Sequence, residues 1–295
     1  MTTTALEDEI AGLVQVAHAY ARRHERIANL TWPDGARIAV NFTLDFDAML
    51  LRRLFNEPPM QLAKGEFGGR VGIWRLIELF DSHGVKATVF TPGRICELYP
   101  QALRAAVRGG HELADHMWEH RVPKEPDIEE SHLRRATEAL ERISGVRPVG
   151  SRSHHSPALL KRLGYLYNSH STADHRPYYR RDARGESCLM ELPWSFGIDD
   201  AMYFNFAWQG STTNEQRLSD PDRVAEMWWD AFWHQYQAGG YLNIVLHPFV
   251  SGRALRIAML DQLIARMRRL PGVWFPTCAQ VVRHCLARHP PAAGF

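Results

Sequence analysis

Arg37-Ile38-Ala39-Val40-Asn41-Phe42-Thr43-Leu44-Asp45-Phe46-Asp47 is the stretch from which the fold is read. Residues 37–44 are rich in β-branched and aromatic side chains and predict a strand. Downstream, strand and helix alternate. Residues 71–81 predict a helix with Ile73, Leu76, Ile77 and Phe80 on one face, and 86–91 predict a strand. A helix at Pro100–Arg108, a short strand near Glu112, helices at 129–143 and 157–163 and a strand at 188–192 follow. Pro221-Asp222 opens a helix with Val224, Met227, Trp228, Ala231, Phe232 and Gln235 on one face. Tyr241–Leu246 is continuously apolar, as a strand buried on both faces would be. Helices at 255–270 and 278–287 close the chain. Such alternation predicts parallel strands with crossover helices, in a barrel or a doubly wound sheet. Chemistry in these folds sits on loops at the C-terminal ends of the strands.

Upstream of the first strand, residues 6–27 carry Ile10, Leu13, Val14, Val16, Ala17 and Tyr20 near helical spacing, and Trp32-Pro33-Asp34-Gly35 supplies a turn. Residues 1–34 are therefore expected to be a helical arm and 35–295 one catalytic domain. The arm either packs on its own domain or meets another copy. Among 295 residues, 35 Lys+Arg against 33 Asp+Glu leave a formal charge of +2, which argues against coating nucleic acid or an anionic membrane. No run of about 18 apolar residues is present. Met1-Thr-Thr-Thr-Ala-Leu-Glu-Asp-Glu lacks the basic and apolar regions of a signal peptide, so a cytoplasmic location is expected. Cys96, Cys188, Cys278 and Cys285 form no C-x-x-C pair and are expected to be reduced, buried thiols.

Three constellations follow strands. Asp45 and Asp47 lie on the same side of an extended segment, where a cation would relieve their repulsion. His116 and His120 are four apart, on one helical face or across a tight loop, at metal-binding reach. The order is not that of an H-E-x-x-H peptidase helix, because Glu119 directly precedes the second histidine. His247, fixed by Pro248 at the end of a buried strand, suits acid–base work. Together, Asp47, His116 and His120 would offer two nitrogens and one oxygen to a divalent metal with positions left open, as a catalytic site requires. Asp45 and His247 would stand as base and acid.

The order of these motifs, strand-Thr43-Leu-Asp-Phe-Asp47, then Gly109-Gly-His-Glu-Leu-Ala-Asp-His-Met-Trp-Glu-His120, then Gly150-Ser-Arg152, then Leu246-His-Pro248, resembles the polysaccharide deacetylase superfamily, the NodB-homology domain. The resemblance covers roughly residues 37–253. It implies a distorted (β/α)7-type barrel, with Asp47, His116 and His120 as metal ligands, Asp45 as base, His247 as acid and Arg152 orienting the base. Phe90-Thr-Pro-Gly93, Glu191-Leu-Pro-Trp194 with Asp199-Asp200, and Ser251-Gly-Arg253 are similar to the branch of allantoinase-like proteins, cyclic imide hydrolases and one group of peptidoglycan-deacetylase-like proteins. The family's R-x-P is Arg152-Ser153-His154 here, followed by His155, and Met117 stands where many members have Gly or Ser.

The expectation is a metal-dependent hydrolase of non-peptide C–N bonds, with ring-opening of small cyclic imides as the preferred reaction. N-deacetylation of an acetylated sugar of peptidoglycan or chitin type is the alternative, and an inactive metal-binding scaffold is the third. Trp118, His154, His155, Trp194 and Phe249 are candidate walls for a flat substrate ring. Zn2+ suits the ligand set, and Mn2+, Co2+ or Ni2+ would fit similar ligands. The partner is a small molecule, with neither nucleic acid nor membrane. The branch resemblance also implies a homo-oligomer, often a tetramer.

Overall fold

The computed structural model describes residues 3–54, 56, 59–182, 185, 188–204 and 218–292. Its strands are β1 (His24–Arg26), β2 (Ile38–Asp45), β3 (Ala87–Thr91), β4 (Glu112–Asp115), β5 (Gly150–Ser151), β6 (Tyr167–Asn168), β7 (Tyr178–Arg181), β8 (Cys188–Glu191), β9 (Tyr241–Leu246) and β10 (Val273–Trp274). Parallel pairings run β9-β2-β3-β4-β5-β6-β8, the alternation predicted from the sequence. β7 and β1 extend the sheet beyond β8 as antiparallel strands. Among the described residues β8 and β9 do not pair, and Asp199, beyond β8, makes an isolated bridge to Val245 of β9, so the ring of strands stays open there.

All eight residues of β2 are buried, and so are all of β3 and β9. Their outward side chains pack under the helices Ile73–Ser82, Pro221–Gln237 and Ala254–Arg268 in the main apolar cluster, which includes Phe42, Phe80, Trp228 and Ile244. Polar side chains point the other way and meet across the interior. Asn243 of β9 donates to Ser169 Oγ beyond β6 at 3.2 Å. Arg152 beyond β5 donates to Thr43 of β2 at 3.0 Å. Strands distant in sheet order touch only if the sheet is strongly curved.

Several expectations are corrected here. The arm helix, α1 (Thr3–Arg23), stops short of residue 27 because His24–Arg26 pair with β7. The helix predicted at 71–81 starts at Ile73, after a wide turn over Gly68–Gly72 that seats it against Phe249 and Pro248. Cys96, Cys278 and Cys285 are free and buried. The side chain of Cys188 lies outside the described residues. Among the described residues, no helix is long and apolar enough to cross a membrane.

Candidate active site

The site lies at the C-terminal ends of β2, β4, β5 and β9. Asp45 is the last residue of β2. Phe46 then donates to the Phe90 carbonyl at 2.9 Å and carries the extended course on to Asp47. Leu50 bonds back to the Asp47 carbonyl at 3.0 Å as the next helix starts. After β4 the chain turns tightly. Met117 and His120 take left-handed conformations (φ 69° and 58°), unusual for residues with a Cβ. His116 and His120 therefore meet across a tight loop, the second of the two arrangements their spacing allowed. The turn after β3 pins this loop, with Gly93 and Arg94 donating to the carbonyls of Met117 and Trp118 at 2.9 and 3.0 Å.

Asp47, His116 and His120 converge, with ligating atoms all within 4.8 Å of one another. Asp47 Oδ1 stands 3.5 Å from His116 Nε2 and 3.7 Å from His120 Nε2. Asp47 is 1% exposed, and neither of its carboxyl oxygens has a hydrogen bond; His116 Nε2 is also without a partner. His116 Nδ1 faces the Arg152 carbonyl, which accepts its proton and leaves Nε2 as a lone pair aimed at the cluster. Burial holds His116 below the usual imidazole range, so the ring is neutral. Two carboxyl oxygens and one imidazole nitrogen buried here without hydrogen-bond partners are costly together. A divalent cation fits. Ligand bonds of about 2.1 Å at tetrahedral angles place donor atoms about 3.4 Å apart.

Asp45 flanks this cluster. Its Oδ1 accepts from Arg152 at 2.6 Å. Its Oδ2 lies 3.9 Å from His116 Nε2 and 4.0 Å from His247 Nε2. Burial works against the Asp45 charge, but Arg152, His116 and His247 outweigh it and hold the carboxyl below its usual range. Arg152, 3% exposed, also donates to the Ser169 carbonyl at 3.0 Å and its hydroxyl at 3.1 Å, and lies over the Phe90 ring. This guanidinium is fixed on all sides.

His247 follows β9. Asp200 clamps it twice, accepting from the backbone N–H at 2.8 Å and facing Nδ1 at 2.7 Å. Burial disfavours the imidazolium, but Asp200, Asp199 and Asp45 prevail and push the imidazole up to about 10. Asp199, Asp200 and His247 could also be read as a metal cluster. Their hydrogen bonds argue otherwise. Ser251 Oγ donates to Asp200 Oδ2 at 2.5 Å and Ala201 N to Asp199 Oδ1 at 2.8 Å, so these carboxylates already have protons to accept.

The expected ring walls fare differently. Trp118 is 2% exposed, with the guanidiniums of Arg94 and Arg135 over its ring. His155 is equally buried and bonds Glu129 through Nδ1 at 3.0 Å. Phe249 is buried beside the His247 ring, under Arg52. These three are packing residues in this conformation, because rings this deeply covered offer no face to a solute. Trp194 packs on Phe196 and lines a cavity of about 480 Å³ with Tyr203, His234 and Tyr241; none of the three cluster residues lines it. His154 is exposed and stacks edge-on with His170 at 3.9 Å. His170 escaped the sequence reading. Burial, with His154, His116 and Arg152 adding, holds it down to about 4, so it is neutral. Glu191 fixes its backbone by accepting from His170 N and Ser171 N, each at 2.7 Å. Neither His170 nor the role of Asp200 had a sequence signal beyond the Asp199-Asp200 doublet.

A metal-dependent C–N hydrolase is the class that this fold and site define. Residues 67–167 match the family model for polysaccharide deacetylase. A Mycobacterium smegmatis protein assigned as a polysaccharide deacetylase is 31% identical, superposes with a TM-score of 0.79, and aligns over 89% of this chain and 96% of its own. The PuuE allantoinase is 25% identical over 88% of this chain and 94% of its own, with a TM-score of 0.77. The peptidoglycan deacetylase of Helicobacter pylori is 27% identical over 79% of this chain and 90% of its own length. The chain belongs to the polysaccharide deacetylase family.

Proposed function

We propose that this protein removes the acetyl group from N-acetylated amino sugars of peptidoglycan type. The carrying observation is the position of Asp45, whose free oxygen lies about equally far from His116 of the cation cluster and from the His247 acid. Asp47, His116 and His120 would hold the cation, with Zn2+ suited to two imidazoles and one carboxylate. When bound, it polarises the amide carbonyl and acidifies water.

Asp45, kept ionised by Arg152, takes a proton from the attacking water as its oxygen bonds the acetyl carbon. His247, charged at neutral pH and aligned by Asp200, gives its proton to the nitrogen as the C–N bond breaks. Acetate and a free amine leave. His154 and His170, both beside the cluster, offer neutral hydrogen-bonding edges for sugar hydroxyls.

The acetamide reading is preferred over the cyclic imide favoured from sequence for two reasons. Trp118, His155 and Phe249 are unavailable to clamp a flat ring, and relatives spanning most of the chain are named a peptidoglycan deacetylase and a peptidoglycan deacetylase-like protein. Likeness to an allantoinase supports a second reading, ring-opening of cyclic ureides or imides. A panel on metal-loaded protein separates them. Acetate release from acetylglucosamine oligomers or peptidoglycan fragments is expected. Turnover of allantoin, hydantoin or succinimide with no acetate release would overturn the deacetylase reading.

A further inference from the structure

We propose that Glu191 is a positioning residue that acts through His170 to set how tightly the substrate is held; this rests on the hydrolase reading of the site. Glu191 ends β8 and is 0% exposed. Its Oε1 accepts from the backbone N–H groups of His170 and Ser171, each at 2.7 Å. Its Oε2 has no hydrogen bond among the described residues, and the Arg180 guanidinium of β7 stands 3.9 Å away. Burying a carboxyl oxygen without a partner is costly. The two bonds that Glu191 does make are both spent on one loop.

That loop needs them. β6 and β8 are in register at Asn168 and Glu191, and Leu192 N still donates to the Asn168 carbonyl at 2.9 Å. There the ladder ends. The Leu192 carbonyl, which His170 N would meet next, accepts from Ser169 Oγ at 2.8 Å instead, and Pro193 has no N–H. The N–H groups of residues 170 and 171 are left over, and the Glu191 carboxyl takes both. Their neighbours are held as well. Ser169 accepts from Arg152, and Ser171 Oγ accepts from the Tyr178 hydroxyl at 2.8 Å. The loop presents the half-buried His170 ring, edge-on to His154 with 3.9 Å between ring centres. His154 arrives from the separate loop after β5 and stands where the R-x-P pattern has proline, which has no hydrogen-bonding side chain. A neutral imidazole offers one donor and one acceptor, a match for substrate hydroxyls. Two rings on separate loops keep their spacing only while both loops are fixed. Releasing residues 170–171 changes affinity and leaves the chemistry alone, because neither ring is the base, the acid or a cluster ligand.

Steady-state acetate release from acetylglucosamine oligomers, with bound metal measured on each sample, tests this. His170→Ala is expected to raise KM about 3- to 10-fold, the worth of one neutral hydrogen bond, with kcat within about twofold and metal content unchanged. Glu191→Ala should show the same signature. The double variant should be no worse than either single one, because both changes remove the same contact. Glu191→Asp, one methylene shorter, should also raise KM, and it carries the test where the alanine variant does not fold. Glu191→Gln keeps a carbonyl oxygen for the two N–H groups and should return KM to the native value. Losses that add in the double variant, a fall in kcat or bound metal at native KM, or a folded Glu191→Gln with KM as high as in His170→Ala would overturn the proposal. Ring-opening of a ureide or imide without acetate release would overturn the deacetylase reading alone, and the same variants are then judged by KM for that substrate.

Discussion

At the scale of single residues, the site is a set of opposed electrostatic demands. Arg152 keeps Asp45 charged inside the protein, and Asp200 keeps His247 charged a few ångströms away. A base must be ionised and an acid protonated, so kcat/KM should fall on the acid side as Asp45 takes up a proton, below the usual carboxylate range. On the alkaline side it should fall as His247 loses its proton near 10. Asp200→Asn removes the largest charge supporting the imidazolium. Its alkaline limb should move down toward the ordinary imidazole value of about 6.5, with the acid limb in place. A limb that stays put would assign the proton to another group. Asp45→Asn should keep its metal and lose about 10²- to 10⁴-fold in turnover. Metal analysis alongside the rate separates loss of the base from loss of the cation.

Among the elements, close crossings of backbone carry the acid to its place. The short helix Pro248–Ser251 after His247 lies against the turn Gly68–Gly72. A Cβ on Gly72 would run into the Pro248 carbonyl, and one on Gly252 into Gly72. Gly72→Ala must therefore displace the segment that begins with His247. It should cost about 1–3 kcal/mol of stability, as overpacking does, and lower kcat more than KM. Urea unfolding together with steady-state kinetics checks both, and unchanged kinetics would show that the helix shifts without moving the acid. Legibility in the sequence also varied at this scale. β9 was readable as a continuous apolar run because both faces are buried, and β2 and β3 by their β-branched and aromatic content. β5 and β6 have two residues each, too few for any periodicity to show. β1 lay hidden at the end of a helical pattern, since its partner β7 is more than 150 residues away.

For the molecule as a whole, the cation is expected to be part of the fold. Asp47 is 1% exposed and neither of its carboxyl oxygens has a hydrogen bond, so a cation would satisfy buried polar atoms that nothing else does. A ligand that binds only the folded state stabilises it by mass action. Chelation should lower the melting temperature by several degrees, and Zn2+ at 100 times its dissociation constant should return about 2.7 kcal/mol. In Asp47→Ala neither treatment should have an effect, because the unpartnered carboxyl oxygens and the ligand are both gone. Calorimetry with and without chelator measures it, and equal melting temperatures in the native protein would mean that the cluster holds no metal under those conditions.

From the sequence alone came the parallel α/β plan, the family, and the six residues Asp45, Asp47, His116, His120, Arg152 and His247. The plan and the residues Asp45, Asp47, His116, His120 and His247 are legible because apolar periodicity and the short spacing of polar residues at strand ends are local properties, and the family and Arg152 came through the resemblance of the motif order. The pairing of Asp200 with His247, the place of His170 beside the cluster, and the burial of Trp118, His155 and Phe249 were decided only in three dimensions. Each depends on which distant segments curvature of the sheet brings together, and on which face of an aromatic ring the packing leaves open, and neither is encoded in spacing along the chain.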